Sequence, residues 1–192
     1  MFNKLNQLDD GIKIEVNKKI KPLKHQDYHG KRVNMVLKDF FGNQIETKID
    51  IGVHKNLDIK QEEYMFNFEV FNNRMSLLIN TKEQIFVEKL SSMLRHGIRT
   101  TRYKDIYDIY YLITEGNMDK SLVIELINSY CISNNSRINK IDEIADELKK
   151  IFNNSTFLEN VKNSRYNWIE ENTDIALDII LDFIKQLEPL VV

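Results

Sequence analysis

Up to about residue 80 the apolar positions recur every second residue, and beyond it every third or fourth. Ile12, Ile14 and Val16 alternate with Lys13, Glu15 and Asn17; Val33, Met35 and Leu37 alternate with Asn34 and Lys38; Ile45, Thr47, Ile49, Ile51 and Val53 alternate with Glu46, Lys48 and Asp50. A period of two marks half-buried strands, because successive side chains point to opposite faces. Phe41-Gly42-Asn43 separates the second strand from the third as a hairpin turn. A further pair is predicted over Met65 to Val70 and Met75 to Ile79, with Asn72-Asn73 between them.

At Thr81 the spacing becomes helical. Thr81 is placed to cap a helix with Phe86, Leu90, Met93 and Leu94 on one side, ending at His96-Gly97, where glycine suits the left-handed terminal position. Five more helices are predicted: Tyr103 to Thr114, Lys120 to Tyr130, Ile141 to Phe152, Thr156 to Trp168 and Thr173 to Leu187. The chain thus divides into a β region, residues 1–80, and an α-helical region, residues 81–192, an α+β arrangement. Tyr107, Tyr110, Tyr111 and Trp168 read as helix-packing residues.

Composition narrows the functional classes. Of 192 residues, 42% are hydrophobic and 29% charged, which is globular rather than disordered composition. The net charge of -2 removes the basic excess expected of a general nucleic-acid binder, leaving only local basic patches. Cys131 is alone, and no apolar stretch approaches the roughly 20 residues that span a bilayer, so a cytoplasmic protein without a membrane role is expected. The four histidines lack zinc-ligand spacing.

Three places carry candidate chemistry. Strand alternation puts Asp50, in Lys48-Ile49-Asp50-Ile51-Gly52, on the face opposite Ile49 and Ile51, where a carboxylate can meet a metal or simply water. Lys89 shares a helix face with Ile85 and Met93, so its stem lies on apolar surface and its ammonium reaches out, to a triphosphate or to solvent. Asp105 and Asp108 lie one turn apart in Arg102-Tyr103-Lys104-Asp105-Ile106-Tyr107-Asp108, with Lys104 spaced to pair with Asp108. Asp105 falls in the first helical turn, where the macrodipole favours a carboxylate. Asp108 sits among apolar neighbours and needs a partner, for which Lys89 is the natural choice; a catalytic pair and a structural salt bridge fit equally.

Together with Asp9-Asp10-Gly11-Ile12, Tyr28-His29-Gly30-Lys31-Arg32-Val33 and Glu88-Lys89-Leu90, these segments resemble the AbiEii/AbiGii nucleotidyltransferases, toxin halves of bacterial toxin–antitoxin and abortive-infection pairs. The resemblance covers about residues 9–112 and is most specific in the Glu-Lys-Leu and Arg-x-Lys-Asp-x-x-Asp helices. It implies a fold similar to DNA polymerase β-type nucleotidyltransferases, whose three carboxylates hold two Mg²⁺ ions. It implies Asp50 as the third carboxylate and a metal ligand, Lys89 at the phosphates, and Asp108, with Asp105 beside it, as the last-motif acid. An NTP, tRNA and an antitoxin are the implied partners; Arg99, Arg102 and Lys104 are candidate nucleotide or RNA contacts, and in a binding-module reading they would engage RNA or an antitoxin together with Arg95.

One departure qualifies this. Family members open with a Gly-Gly-Ser/Thr loop and an Asp-x-Asp strand, whereas no Gly-Gly or Gly-Ser pair occurs here and no Asp-x-Asp precedes Asp50. The expectation is a truncated mixed or antiparallel nucleotidyltransferase sheet followed by a helical bundle, incomplete and inactive as a single chain. A missing companion chain or self-association is expected to cover the exposed sheet. The alternative is a non-catalytic remnant that binds protein or RNA.

Overall fold

The computed structural model describes residues 6–7, 11–17, 21–24, 28–54, 58–68, 73–133 and 137–187. The fold class is α+β, with antiparallel strands followed by helices. The change from strands to helices falls at Thr81, whereas the compact units divide after Ile59 into Met1–Ile59 and Lys60–Val192. A strand hairpin therefore belongs to the helical unit.

In the first unit, β3 (Tyr28–Asp39) is the spine of a four-stranded sheet. β4 (Gln44–His54) pairs along one edge of it; β1 (Ile12–Val16) and β2 (Lys21–Lys24) lie end to end along the other, opposite residues 35–39 and 29–32. The hairpin between β3 and β4 is held by Asp39, whose carboxylate accepts from the backbone N–H of Phe41 at 2.9 Å and of Asn43 at 2.8 Å. Gly42 there has φ 83°, a conformation glycine adopts at no steric cost. The register gathers Ile12, Ile14, Val16, Val33, Met35, Leu37, Ile45, Ile49 and Ile51 on one face. The alternation is as expected, but among the described residues of the sheet burial is confined to β3: Val33 and Met35 are buried, whereas Ile45, Ile49 and Ile51 are exposed.

In the second unit, β5 (Gln61–Phe68) and β6 (Asn73–Asn80) form a two-stranded hairpin, longer at the front than the predicted pair; Val70 and Asn72 lie outside the described residues. Six α-helices follow among the described residues: α1 (Lys82–His96), α2 (Lys104–Thr114), α3 (Lys120–Ile127), α4 (Ile141–Phe152), α5 (Ser155–Lys162) and α6 (Thr173–Leu187). Polar side chains cap them where the sequence places such residues. Thr81 accepts from the Gln84 N–H, Asp119 from Ser121, and Asn154 from Phe157. α4 and α6 have the bounds that periodicity predicts, but the predicted Thr156 to Trp168 helix ends at Lys162, leaving Trp168 on a loop.

The core lies between these helices. Phe86, Val87 and Leu90 of α1, Ile106, Tyr107 and Ile109 of α2, Ile144 and Leu148 of α4, and Ile180 and Ile184 of α6 are fully or almost fully buried. The spacing of three and four is that of one helix face turned inward. No described helix is long and apolar enough to cross a membrane.

Candidate active site

On α1, burial of Phe86, Val87, Leu90, Met93 and Leu94 fixes the rotation of the helix and turns Lys89 toward α2. On α2, burial of Ile106 and Ile109 turns Asp105 and Asp108, one turn apart, to the same groove. Two carboxylates so close repel unless a cation lies between them. Lys89 does: its ammonium donates to Asp105 Oδ1 at 2.7 Å and to Asp108 Oδ2 at 2.8 Å. Two of the three ammonium N–H groups are thereby used.

Each aspartate has further cationic company. Arg102 Nε lies 2.9 Å from Asp105 Oδ2, and its Nη1 reaches the Ser92 hydroxyl at 3.4 Å. Lys104 donates to both oxygens of Asp108, at 2.9 and 3.0 Å. The side chains of Asp105 and Asp108 are only 8% and 13% exposed, so these bonds act with little solvent screening; Arg102 and Lys104 stay more than half exposed. Three cations face two carboxylates, and the cluster carries one net positive charge.

A residue 60 positions downstream completes the set. The indole N–H of Trp168 donates to Asp108 Oδ1 at 2.9 Å. Asp108 thus receives four hydrogen bonds, the full capacity of a carboxylate. Sequence periodicity placed Trp168 at the end of a helix and gave no signal of this contact. The loop that carries it is tied to α2 by Tyr110, whose hydroxyl donates to Glu171 at 3.0 Å, and by the buried Tyr107 hydroxyl, 2.9 Å from Thr173 Oγ1. Tyr107 is core, as expected, while Tyr110 is a clamp and Tyr111 is exposed.

Burial alone pushes both Lys89 and Asp108 toward their neutral forms, but the bonds between them win. Asp105 and Asp108 hold the Lys89 ammonium above its ordinary pKa; Lys89, Lys104 and Trp168 hold the Asp108 carboxyl below its own. A depressed carboxylate pKa contributes stability above the ordinary value near 3.9 and loses it as pH falls through the depressed one. A raised lysine pKa contributes below about 10.4 and loses it as pH rises further. Trp168, the only tryptophan in the chain, reports on this cluster. Its emission is expected to stay constant from about pH 5 to 9 and to change below about pH 4, the range in which a carboxylate like Asp108 takes up a proton. A transition centred near neutrality in a fluorescence titration would contradict the paired cluster.

Asp50 belongs to the first unit and has a different environment. It lies directly opposite Arg32 across the β3–β4 ladder, and the guanidinium grips it with two bonds: Nε to Oδ1 at 2.6 Å and Nη2 to Oδ2 at 2.7 Å. Arg99 is exposed on a short 3₁₀ turn, Gly97–Arg99, that follows α1. Asp9 and Asp10 lie outside the described residues. Among the described residues no three His, Cys, Asp or Glu side chains stand close enough to share a metal ion. With Asp50 bound on both oxygens by Arg32, the described donor set does not fit a two-metal centre.

No curated protein and no solved structure is similar enough to add a relative. The sequence does match one protein family, described as "Nucleotidyl transferase AbiEii toxin, Type IV TA system", over residues 4–180. That span reaches across most of both compact units and takes in every candidate residue above. The chain belongs to the AbiEii nucleotidyl transferase toxin family.

Proposed function

We propose that this chain binds the triphosphate of an NTP at Lys89 and serves as a nucleotidyltransferase toxin, directed at an RNA or protein acceptor and restrained by an antitoxin. The observation that carries the reading is Lys89 held between Asp105 and Asp108 with Lys104 and Arg102 alongside, a cluster with one surplus positive charge. An ammonium fixed by two carboxylates keeps its third N–H for a phosphate oxygen and pays no ordering cost when the phosphate arrives. Asp108, saturated by four donors, acts as a positioning residue, and Asp105 shares the task. Arg102 and Lys104, exposed beyond their carboxylate bonds, together with Arg99, offer further contacts to phosphates of a nucleotide or RNA.

Transfer itself needs more than these groups. The family's chemistry relies on carboxylate-held divalent metal, for which Asp50 is the candidate ligand here once it is released by Arg32. No Asp-x-Asp precedes Asp50, and one carboxylate does not hold two metal ions, so transfer calls for two carboxylates besides Asp50. The test is to incubate the chain with Mg²⁺, each radiolabelled NTP and bulk tRNA. Triphosphate binding without labelling is the expected result. Robust labelling by the isolated chain would overturn the need for added carboxylates; failure to bind any NTP would overturn the triphosphate site.

A second reading, a non-catalytic protein- or RNA-binding module, draws on the Arg32 grip on Asp50, which suits a sheet stabilised for binding rather than for metal. It predicts that Asp50→Asn, which loosens that grip, weakens capture in a pull-down with antitoxin or RNA.

A further inference from the structure

Trp168 and Tyr111 are half exposed, at 49% and 44%, although both are large aromatic side chains on well-anchored backbone. Their ring centroids stand 5.2 Å apart with planes inclined by 54°, so they meet at an angle and do not lie flat on one another. A tryptophan serving only to pack would bury most of its large apolar area, which is what gives such a side chain its stabilising value. Here the ring is held in place instead by its indole N–H on Asp108, while its loop is pinned through Tyr110 and Glu171. The oxygen that accepts from Trp168 also accepts from Lys104, each at 2.9 Å. An ordered aromatic surface therefore lies directly beside the surplus-charge cluster.

We propose that Trp168 and Tyr111 form a stacking platform for a nucleobase whose phosphates lie on the neighbouring cations. The ligand class follows from the combination. A planar aromatic surface recognises any π-face, and adjacent ammonium groups recognise phosphate; a nucleotide joins both in one molecule. The proposal rests on Lys89 and Lys104 binding phosphate and adds to it the base, from either of two sources: the NTP or the terminal nucleotide of an RNA. Asp108 is the positioning residue that couples the two halves, because the same carboxylate orients Lys89, Lys104 and the indole.

Since the chain has a single tryptophan, its emission isolates this site. The full chain is titrated with each NTP, with inorganic tripolyphosphate, and with a short single-stranded RNA carrying or lacking its 3′-terminal base; binding is measured independently by calorimetry. NTPs are expected to quench the emission and to bind about tenfold more tightly than tripolyphosphate, the gain typical of one stacked base. Tyr111→Ala, an exposed change that leaves the core untouched, should remove most of that difference without weakening tripolyphosphate. Trp168→Phe should retain part of the preference for base. Quenching by the RNA only when its terminal base is present, with no response to NTPs, would support the platform and assign it to the acceptor. Equal affinity for NTP and tripolyphosphate, with no base-dependent quenching by RNA, would overturn the platform while leaving the phosphate site intact. Absence of binding by every ligand would overturn both.

Discussion

Replacing Lys89 by methionine is expected to weaken triphosphate binding by about 10- to 100-fold, the worth of a charge-assisted contact, and to destabilise the helical unit as well. Lys89 sits between two carboxylates that are 8% and 13% exposed, and methionine fills its volume without its charge. Asp105 retains Arg102 and Asp108 retains Lys104, but the two acids then face each other with no cation between them. Breaking a buried pair by removing one partner costs about 3–5 kcal/mol, and the remaining cations place this case toward the lower end. The two effects are separable. Adding Asp105→Asn and Asp108→Asn to Lys89→Met removes the stranded charges, so urea denaturation should show stability largely recovered while calorimetry shows triphosphate binding still lost. Recovery of binding in the triple variant would mean that Lys89 has a structural role only.

Phe86→Ala is expected to cost about 3–5 kcal/mol, the usual range for emptying an aromatic site in a packed interior. Phe86 is completely buried on α1 and packs edge-on against Phe183 of α6, with centroids 5.5 Å apart. The Lys120 ammonium lies over the Phe183 ring, 5.9 Å from its centroid, but the contact is separate from the hydrogen bonds of the Lys89 cluster, so the change tests the scaffold. Thermal melts should fall by roughly 10 °C or more. The fraction that remains folded should bind triphosphate with unchanged affinity, because Lys89 is one turn further along the same helix and its partners are all on α2. A loss under about 1 kcal/mol would show that α1 and α6 do not share a close-packed core.

The local features of the helical unit were legible because they depend on neighbours three and four residues apart. Thr81 caps α1, Gly97 ends it with φ 56°, and α4 and α6 run between the residues that periodicity selects. The Lys104–Asp108 pair is of the same kind, one helical turn long. The Lys89–Asp108 contact was also foreseeable, since a carboxylate among apolar residues needs a cation and consecutive helices commonly pack together. Asp105 was not distinguished from an acid that merely favours a helix N-terminus; only the rotation of α2 against α1 shows that it shares Lys89 and takes Arg102.

Alternation along β4 correctly put Asp50 on the face opposite Ile49 and Ile51, yet it carried no register, and register is what sets Arg32 across from the carboxylate. The same alternation identified an apolar face without deciding how far it is covered, and Ile45, Ile49 and Ile51 are exposed. Trp168 is the clearest case. Its sequence neighbourhood continues a helical pattern, but the helix ends at Lys162, and the indole meets a carboxylate 60 residues away.

By itself, then, the sequence determined the α+β class, the capped helices, the candidate cations and acids, and the family motifs, because each is written in short-range spacing or residue type. Which acid shares which cation, which arginine holds Asp50, and which aromatic rings stand beside the charged cluster were decided by tertiary structure alone. Those contacts arise from helix rotation, strand register and the path of a loop, and each is set by core packing summed over residues far apart in the chain.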